Sequence, residues 1–275
     1  VSRRSPLARL ARAVGVVSLV AFSLFPAYWM LTTAVDGAAA TRGARLWPSS
    51  ITLDHFRRVF GSAGFTRYLR NSAILAVSTV LLSGLVCLLA AVGVARHRFT
   101  GRRAVMILVL VVQMVPLEAL VIPLFLQAKN LQMLNSLLGL VVVYLAFSLP
   151  FAIWNLRGFV AAVPAEIEEA AYMDGASSAQ MFFHVLLPLV APGLVATSVF
   201  SFITAWDEFI FALTFLQDQD KFTVAIGLQK FFGENTAEWG PIMAASTLLT
   251  LPVVVFFLLV QRNLVSGLSA GAVKG

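Results

Sequence analysis

The hydrophobic positions of this 275-residue chain gather into six long runs separated by more polar stretches. The runs are residues 14–34, 72–95, 104–127, 136–156, 191–213 and 242–260. Each approaches or exceeds the roughly 20 helical residues that cross a hydrocarbon layer about 30 Å thick. The first two contain no Asp, Glu, Lys or Arg; the third holds Glu118, and the fifth holds Asp207 and Glu208. Backbone amides cannot stay unpaired in lipid, so the runs are read as helices. The pattern predicts an all-α, polytopic membrane protein with six transmembrane helices.

Composition agrees. Of the residues, 59% are hydrophobic and 12% charged, against about 25% charged in an ordinary soluble domain. This excludes a disordered chain, a disulfide-stapled secreted domain and a typical cytosolic enzyme. The formal net charge is +7, which in a soluble protein would suggest nucleic acid. Here the arginines lie near helix ends, where they set orientation, and no nucleic-acid partner is expected. Cys87 is the single cysteine, so no disulfide forms within the chain. His55, His97 and His184 are isolated at apparent loop positions, and no metal site is expected.

Arginines in short loops decide the topology. Arg3, Arg4, Arg9 and Arg12 precede the first run, and Arg96, Arg98, Arg102 and Arg103 separate the second from the third. The connection 128–135 has only Lys129. With six spans, both arginine clusters share the cytoplasmic face. The reading is a cytoplasmic tail 1–13, a transmembrane domain 14–260 and a cytoplasmic tail 261–275. Segment 35–71 would be external, yet it carries six arginines against Asp36 and Asp54, so basic residues total 11 inside and 9 outside. The short loops therefore carry the assignment. The first run also fits a signal peptide. It is long for one, and no small-residue cleavage pattern follows Met30, so it is read as a retained helix.

Three stretches are too polar to span: 35–71 and 214–241 outside, and 157–190 inside. The inner one begins Pro164-Ala165-Glu166-Ile167-Glu168-Glu169-Ala170-Ala171-Tyr172-Met173. A proline at the start and acids in the first turn suit a helix N-terminus. Asp174-Gly175 ends that helix, and Ser177 or Ser178 can cap a second one running to Leu187, before Pro188. The small residues Ala170, Ala171, Gly175 and Ala176 leave a close-approach surface. Such an elbow suits docking into another protein's groove, or packing as a connector on its own bundle.

Glu169-Ala170-Ala171, Asp174-Gly175-Ala176, Val185, Leu187-Pro188 and Pro192 together resemble the EAA loop of permease subunits of binding-protein-dependent ABC importers. Trp206-Asp207-Glu208-Phe209 resembles the Trp-Asn-Glu-Phe stretch of sugar-importer permeases, with Asp in place of Asn. The tail Gln261-Arg262, Gly267-Leu268 and Gly271-Ala272-Val273-Lys274-Gly275 resembles that of the maltose-type second permease, as do Pro123-Leu124-Phe125, Leu134-Asn135-Ser136 and Pro150-Phe151-Ala152-Ile153. The resemblance runs from about Tyr68 to the C-terminus, with the first third matching only loosely.

The resemblance implies a type I ABC importer permease fold in the bacterial cytoplasmic membrane. It implies a second permease subunit, two ATPase subunits that use ATP and Mg, and an extracellular solute-binding protein delivering a sugar or related polar solute. The elbow would be the coupling helix, through Glu169, Ala170, Ala171, Met173, Asp174, Gly175, Ala176 and Ser177. This chain has no Gly-x-x-x-x-Gly-Lys-Ser/Thr loop, so ATP hydrolysis is expected elsewhere, with neither a cofactor nor a catalytic residue on this subunit.

Ionisable groups inside a span usually face a cavity or a partner. Trp206 with Asp207 offers an aromatic platform and a hydroxyl-binding carboxylate, and Glu118, Asn155 and Glu208 are further candidates for the solute pathway. The competing assignment pairs these acids with the sister permease. A stand-alone secondary transporter or channel is the alternative class, but no inverted repeat, proton relay or ion-selective lining supports it. A membrane enzyme ranks last, because no nucleophile, histidine pair or metal cluster accompanies the carboxylates.

Overall fold

The computed structural model describes residues 6–62, 64–232 and 238–272. Helices dominate, and no multi-residue strand occurs among the described residues. Among the described residues, five helices are long and apolar enough to cross a membrane, and a sixth crossing exists if one bent pair counts as a single span. The chain divides into two units, residues 1–65 with 228–251 and residues 66–227 with 252–275.

In the first unit, α1 (Pro6–Ala34) begins inside the stretch expected as a tail; residues 1–5 of that tail lie outside the described residues. Its spanning window buries nothing within this chain, leaving an apolar helix for lipid or another subunit. Past α1 the backbone turns around Asp36, which is fully buried. Its carboxylate accepts hydrogen bonds from the backbone N–H of Ala38 and of Ser49, both 3.1 Å, and from the Ser49 hydroxyl at 2.7 Å. Arg42 stands 3.9 Å away and donates to the Thr32 hydroxyl and to the carbonyls of Arg45 and Leu46. Its guanidinium also covers the Trp29 ring, 4.6 Å from the centroid. Helix α2 (Asp54–Gly61) carries His55, whose Nε2 lies 3.0 Å from the Asp36 carbonyl oxygen. His55 thus sits half-buried on a helix, not in a surface loop.

Burial pushes the Asp36 carboxyl up, but the Ser49 hydroxyl, the Ala38 and Ser49 amides and Arg42 outweigh it and hold the pKa below the ordinary carboxylate value. The resulting stability is complete above that ordinary value and is lost as pH falls through the lowered one. Asp36→Asn should cost about 3 kcal/mol, because it leaves Arg42 buried without its counter-charge. Thermal unfolding of the purified chain at neutral pH checks this, and a melting temperature equal to wild type would count against the network.

The second unit holds all or most of α3 (Phe65–Arg96), α4 (Arg102–Val112), α5 (Val121–Asn130), α6 (Leu137–Ala162), α7 (Ala165–Met173), α8 (Ser178–Gln180), α9 (Leu187–Asp207), α10 (Ile210–Phe215), α11 (Val224–Gln229) and α12 (Trp239–Ala272). A buried cluster joins Cys87, Leu88 and Ala91 of α3 to Ala152, Leu156 and Val160 of α6 and to Met181, Leu186 and Val190. Gly193 lets α9 lie against the Phe159 ring of α6, where any Cβ would collide. Ser83 and Ser201 share a buried hydrogen bond of 3.0 Å between α3 and α9. In lipid such close packing and interhelical hydrogen bonds replace the hydrophobic drive of a soluble core.

Two expected spans, the second elbow helix and the C-terminal stretch differ from the sequence reading. The run 104–127 is not one helix: α4 and the following Leu117–Asn130 segment meet at a 95° bend. Pro116 has no N–H and disfavours helix at Val115, so the chain breaks there despite continuous apolarity. Glu118 then falls in a short 3₁₀ turn, Leu117–Leu120. The run 191–213 ends as a helix at Asp207, and Glu208 is extended. The second elbow helix does not stop before Pro188. A π-turn, Met181–Leu186, connects α8 to α9, and Pro188 sits in the first turn of α9. The wider π-turn accommodates a proline that would clash with a regular helix. The stretch from Gln261, expected as a tail, remains helical to Ala272; residues 273–275 lie outside the described residues.

Candidate coupling elbow and solute pathway

The elbow follows from local chemistry. Pro164 caps α7 in an extended conformation, and Glu166 and Glu168 occupy the positive first turn. At the other end Gly175 has φ +86°. Its N–H bonds the Tyr172 carbonyl, and the Ala176 N–H bonds the Ala171 carbonyl, both at 3.0 Å. This pair of bonds is a Schellman ending, in which the left-handed residue is normally glycine. Ser177 then starts α8 through a reciprocal capping box with Gln180. The expected elbow residues, Glu169 to Ser177, therefore form one continuous corner.

The corner has two faces. Ala171, Met181 and Phe182 pack on the α3–α6–α9 cluster, and Ala176 is half-buried. Glu169, Ala170, Asp174, Gly175 and Ser177 are exposed, and Met173 is 88% exposed. Tyr172 beside it is 45% exposed, so the corner carries two adjacent open side chains. Behind it stands Arg96, the last residue of α3. Its Nε and Nη2 lie 2.7 and 2.6 Å from the Glu168 carboxylate, and Nη2 also donates to the Val163 carbonyl at 2.8 Å. One guanidinium thus ties the entry of α7 to the bundle. The sequence reading counted Arg96 only as a topology arginine and passed over Glu168 for its neighbour. The missed signal was a helix-terminal arginine facing a motif with more acids than a helix start needs.

The candidate pathway residues sit in different local surroundings. Trp206 is buried and stacks on Phe202, 5.6 Å between ring centroids, which in turn stacks on Phe256. In this chain it is a packing residue and not an open platform. Asp207 next to it is exposed. Glu208 is structural: it accepts from the Phe211 and Ala212 amides at 2.7 and 2.9 Å, capping α10, and from the buried Tyr144 hydroxyl at 2.8 Å. Asn155 is half-buried on α6, and Glu118 is exposed on its 3₁₀ turn. No group of three or more His, Cys, Asp or Glu suited to a metal occurs among the described residues.

At the end of this unit away from the elbow, loop 216–223 is laced down. Asn135, with φ +54°, donates its own N–H to the Phe215 carbonyl, accepts from the Gln217 and Asp218 amides, and donates its side-chain amide to the Asp218 carboxylate. Asn71 donates to the carbonyls of Asp220 and Phe222, Ser72 accepts from Val224, and Arg67 pairs with Asp220. The Asn135 amide, followed by Lys221, lowers the Asp218 carboxyl below its ordinary value. Sequence reasoning named Asn135 only within a motif and missed the lacing.

Residues 83–270, which include the elbow, match the model of a family described as the binding-protein-dependent transport system inner membrane component. The chain belongs to this family. It is a membrane permease component of such a transport system. The diacetylchitobiose uptake system permease protein DasC of Streptomyces coelicolor is 41% identical over 99% of this chain and 100% of its own length. The trehalose/maltose transport system permease protein MalG of Thermococcus litoralis is 36% identical over 99% of both. Both likenesses include the first third of the chain, which the motifs matched only loosely. In fold, the chain resembles a crystallised bacterial ABC transporter involved in the import of the acidic polysaccharide alginate. The TM-score is 0.80 and the identity 23%, over 95% of this chain and 99% of that one.

Proposed function

We propose that this chain is one of two permease subunits of an ATP-driven importer for a sugar or related polar solute, coupled to separate ATPase subunits through the α7–α8 elbow. The observation that carries the reading is the two-faced corner: small residues, Glu169 and Met173 turned outward, with Arg96 and the apolar cluster holding it from behind. A surface braced in this way can transmit displacement of a bound partner to α3, α6 and α9, whereas a slack loop would absorb it. The sugar class is drawn from the relatives that carry diacetylchitobiose or trehalose and maltose.

On this reading two ATPase subunits bind and hydrolyse ATP with Mg below the membrane. A sister permease completes the pathway, and an extracellular solute-binding protein docks above. Both termini and the elbow lie on the cytoplasmic side of a bacterial cytoplasmic membrane. Asp207 and Glu118 are the carboxylates left free to meet the solute or the sister permease. Affinity purification of the tagged full chain from its own membranes should bring down an ATPase and a second permease. The reconstituted complex should take up sugar only with ATP and the solute-binding protein. Solute uptake by this chain alone in liposomes would overturn the reading.

A further inference from the structure

The start of α4 and the end of α6 enclose a cleft of about 560 Å³, lined by Phe99, Gly101, Arg102, Arg103, Met106, Ile107, Leu110, Trp154 and Arg157. Three guanidiniums line it and no carboxylate does. Arg96 is occupied by Glu168, but among the described residues Arg102, Arg103 and Arg157 have no acidic partner. The Arg157 guanidinium lies 5.8 Å from the centroid of the Trp154 ring, and its Nε is buried with no hydrogen-bond partner. Gly101, at φ +90°, opens α4 without any side-chain cap, so the positive end of the helix dipole adds to the field. Partly buried positive charge with no counter-charge is unfavourable. The remaining wall is apolar and continues along α4 through Met106, Ile107 and Leu110.

We propose that this cleft holds the phosphate headgroup of an anionic phospholipid, with its acyl chains lying along α4. The arginines and helix start match a phosphodiester, and the indole of Trp154 suits the level where headgroup meets chain. The apolar wall matches hydrocarbon, which a free anion would leave unused. The occupant is available in the surrounding bilayer, so no delivered ligand is required.

The test uses the purified full-chain complex in nanodiscs of phosphatidylcholine with or without phosphatidylglycerol, read by native mass spectrometry for retained lipid. The expected result is selective retention of phosphatidylglycerol, weakened about a hundredfold in an Arg102→Gln, Arg103→Gln, Arg157→Gln variant, since each charge near the surface contributes a similar factor. The exposed single substitution Arg103→Gln, which spares folding, should weaken it about fivefold. Millimolar inorganic phosphate should leave the retained lipid in place. Equal retention of both lipids, retention unchanged in the Arg103→Gln variant, displacement by phosphate alone, or a crosslink from position 103 to an acidic segment of a partner subunit in place of lipid would each overturn the proposal.

Discussion

Replacing Gly175 with arginine is expected to leave the chain in the membrane and to cut ATP-driven uptake by about tenfold. Gly175 has φ +86°, and its backbone closes the Schellman ending of α7. A side chain in the left-handed region costs roughly 1–2 kcal/mol, so the corner would be populated about tenfold less often. Among the described residues no heavy atom lies within 4 Å of the added Cβ, so the fault is confined to the backbone turn and to the outer face that a partner would meet. The spans themselves are untouched. Uptake in vesicles and solute-stimulated ATP hydrolysis by the purified complex read the effect, with the amount of inserted chain as control. Asparagine tolerates the left-handed conformation better than other side chains, so Gly175→Asn should recover much of the loss. Normal uptake and stimulated hydrolysis in Gly175→Arg would remove this turn from the coupling path.

The elbow was legible because each of its signals acts within a few residues. Pro164, the acids after it, Asp174-Gly175 and the Ser177–Gln180 pair each fix a helix start or stop through nearest neighbours. The apolar runs were legible for a related reason: lipid demands helices of a given length whatever they pack against. What escaped were consequences of proline in context. Pro116 breaks an unbroken apolar run into two helices, whereas Pro188 leaves its helix intact because a π-turn precedes it. Sequence alone does not separate those outcomes.

The polar residues escaped for a different reason. Glu208 looked like a group in search of a solute, but its oxygens are engaged by Tyr144, which is 64 residues away, and by the start of α10. Trp206 looked like a platform, and its ring is stacked inside the bundle. Asp36 entered the sequence reading only in the charge count of segment 35–71, and it organises a buried turn. In each case a carboxylate or an aromatic ring was explained by a partner that only the fold brings near. The elbow's surface was readable from sequence; the contact that braces it was not.

That brace supplies the second large effect. Arg96→Ala should reduce uptake more than its loss of stability accounts for. The guanidinium bonds Glu168 at 2.6–2.7 Å and the Val163 carbonyl at 2.8 Å, with the two side chains only 19% and 13% exposed. Removing it leaves Glu168 half-sheltered with no counter-charge, at a cost of about 2 kcal/mol, less than for a fully buried pair because some solvent reaches it. The packing of Ala171 on the α3–α6–α9 cluster remains, so α7 should stay folded and become loosely held. Arg96→Lys keeps the charge but not the two-branched grip on Glu168 and Val163, and should be intermediate. Glu168→Ala alone should also lower uptake. The double variant Arg96→Ala, Glu168→Ala should be less impaired than the sum of the singles, because it removes the stranded carboxylate together with its partner. Melting temperature and uptake measured on all four proteins separate the two roles. Uptake that merely tracks melting temperature would make the pair structural. Uptake that falls further, with hydrolysis no longer stimulated by solute, would make Arg96 a positioning residue for coupling.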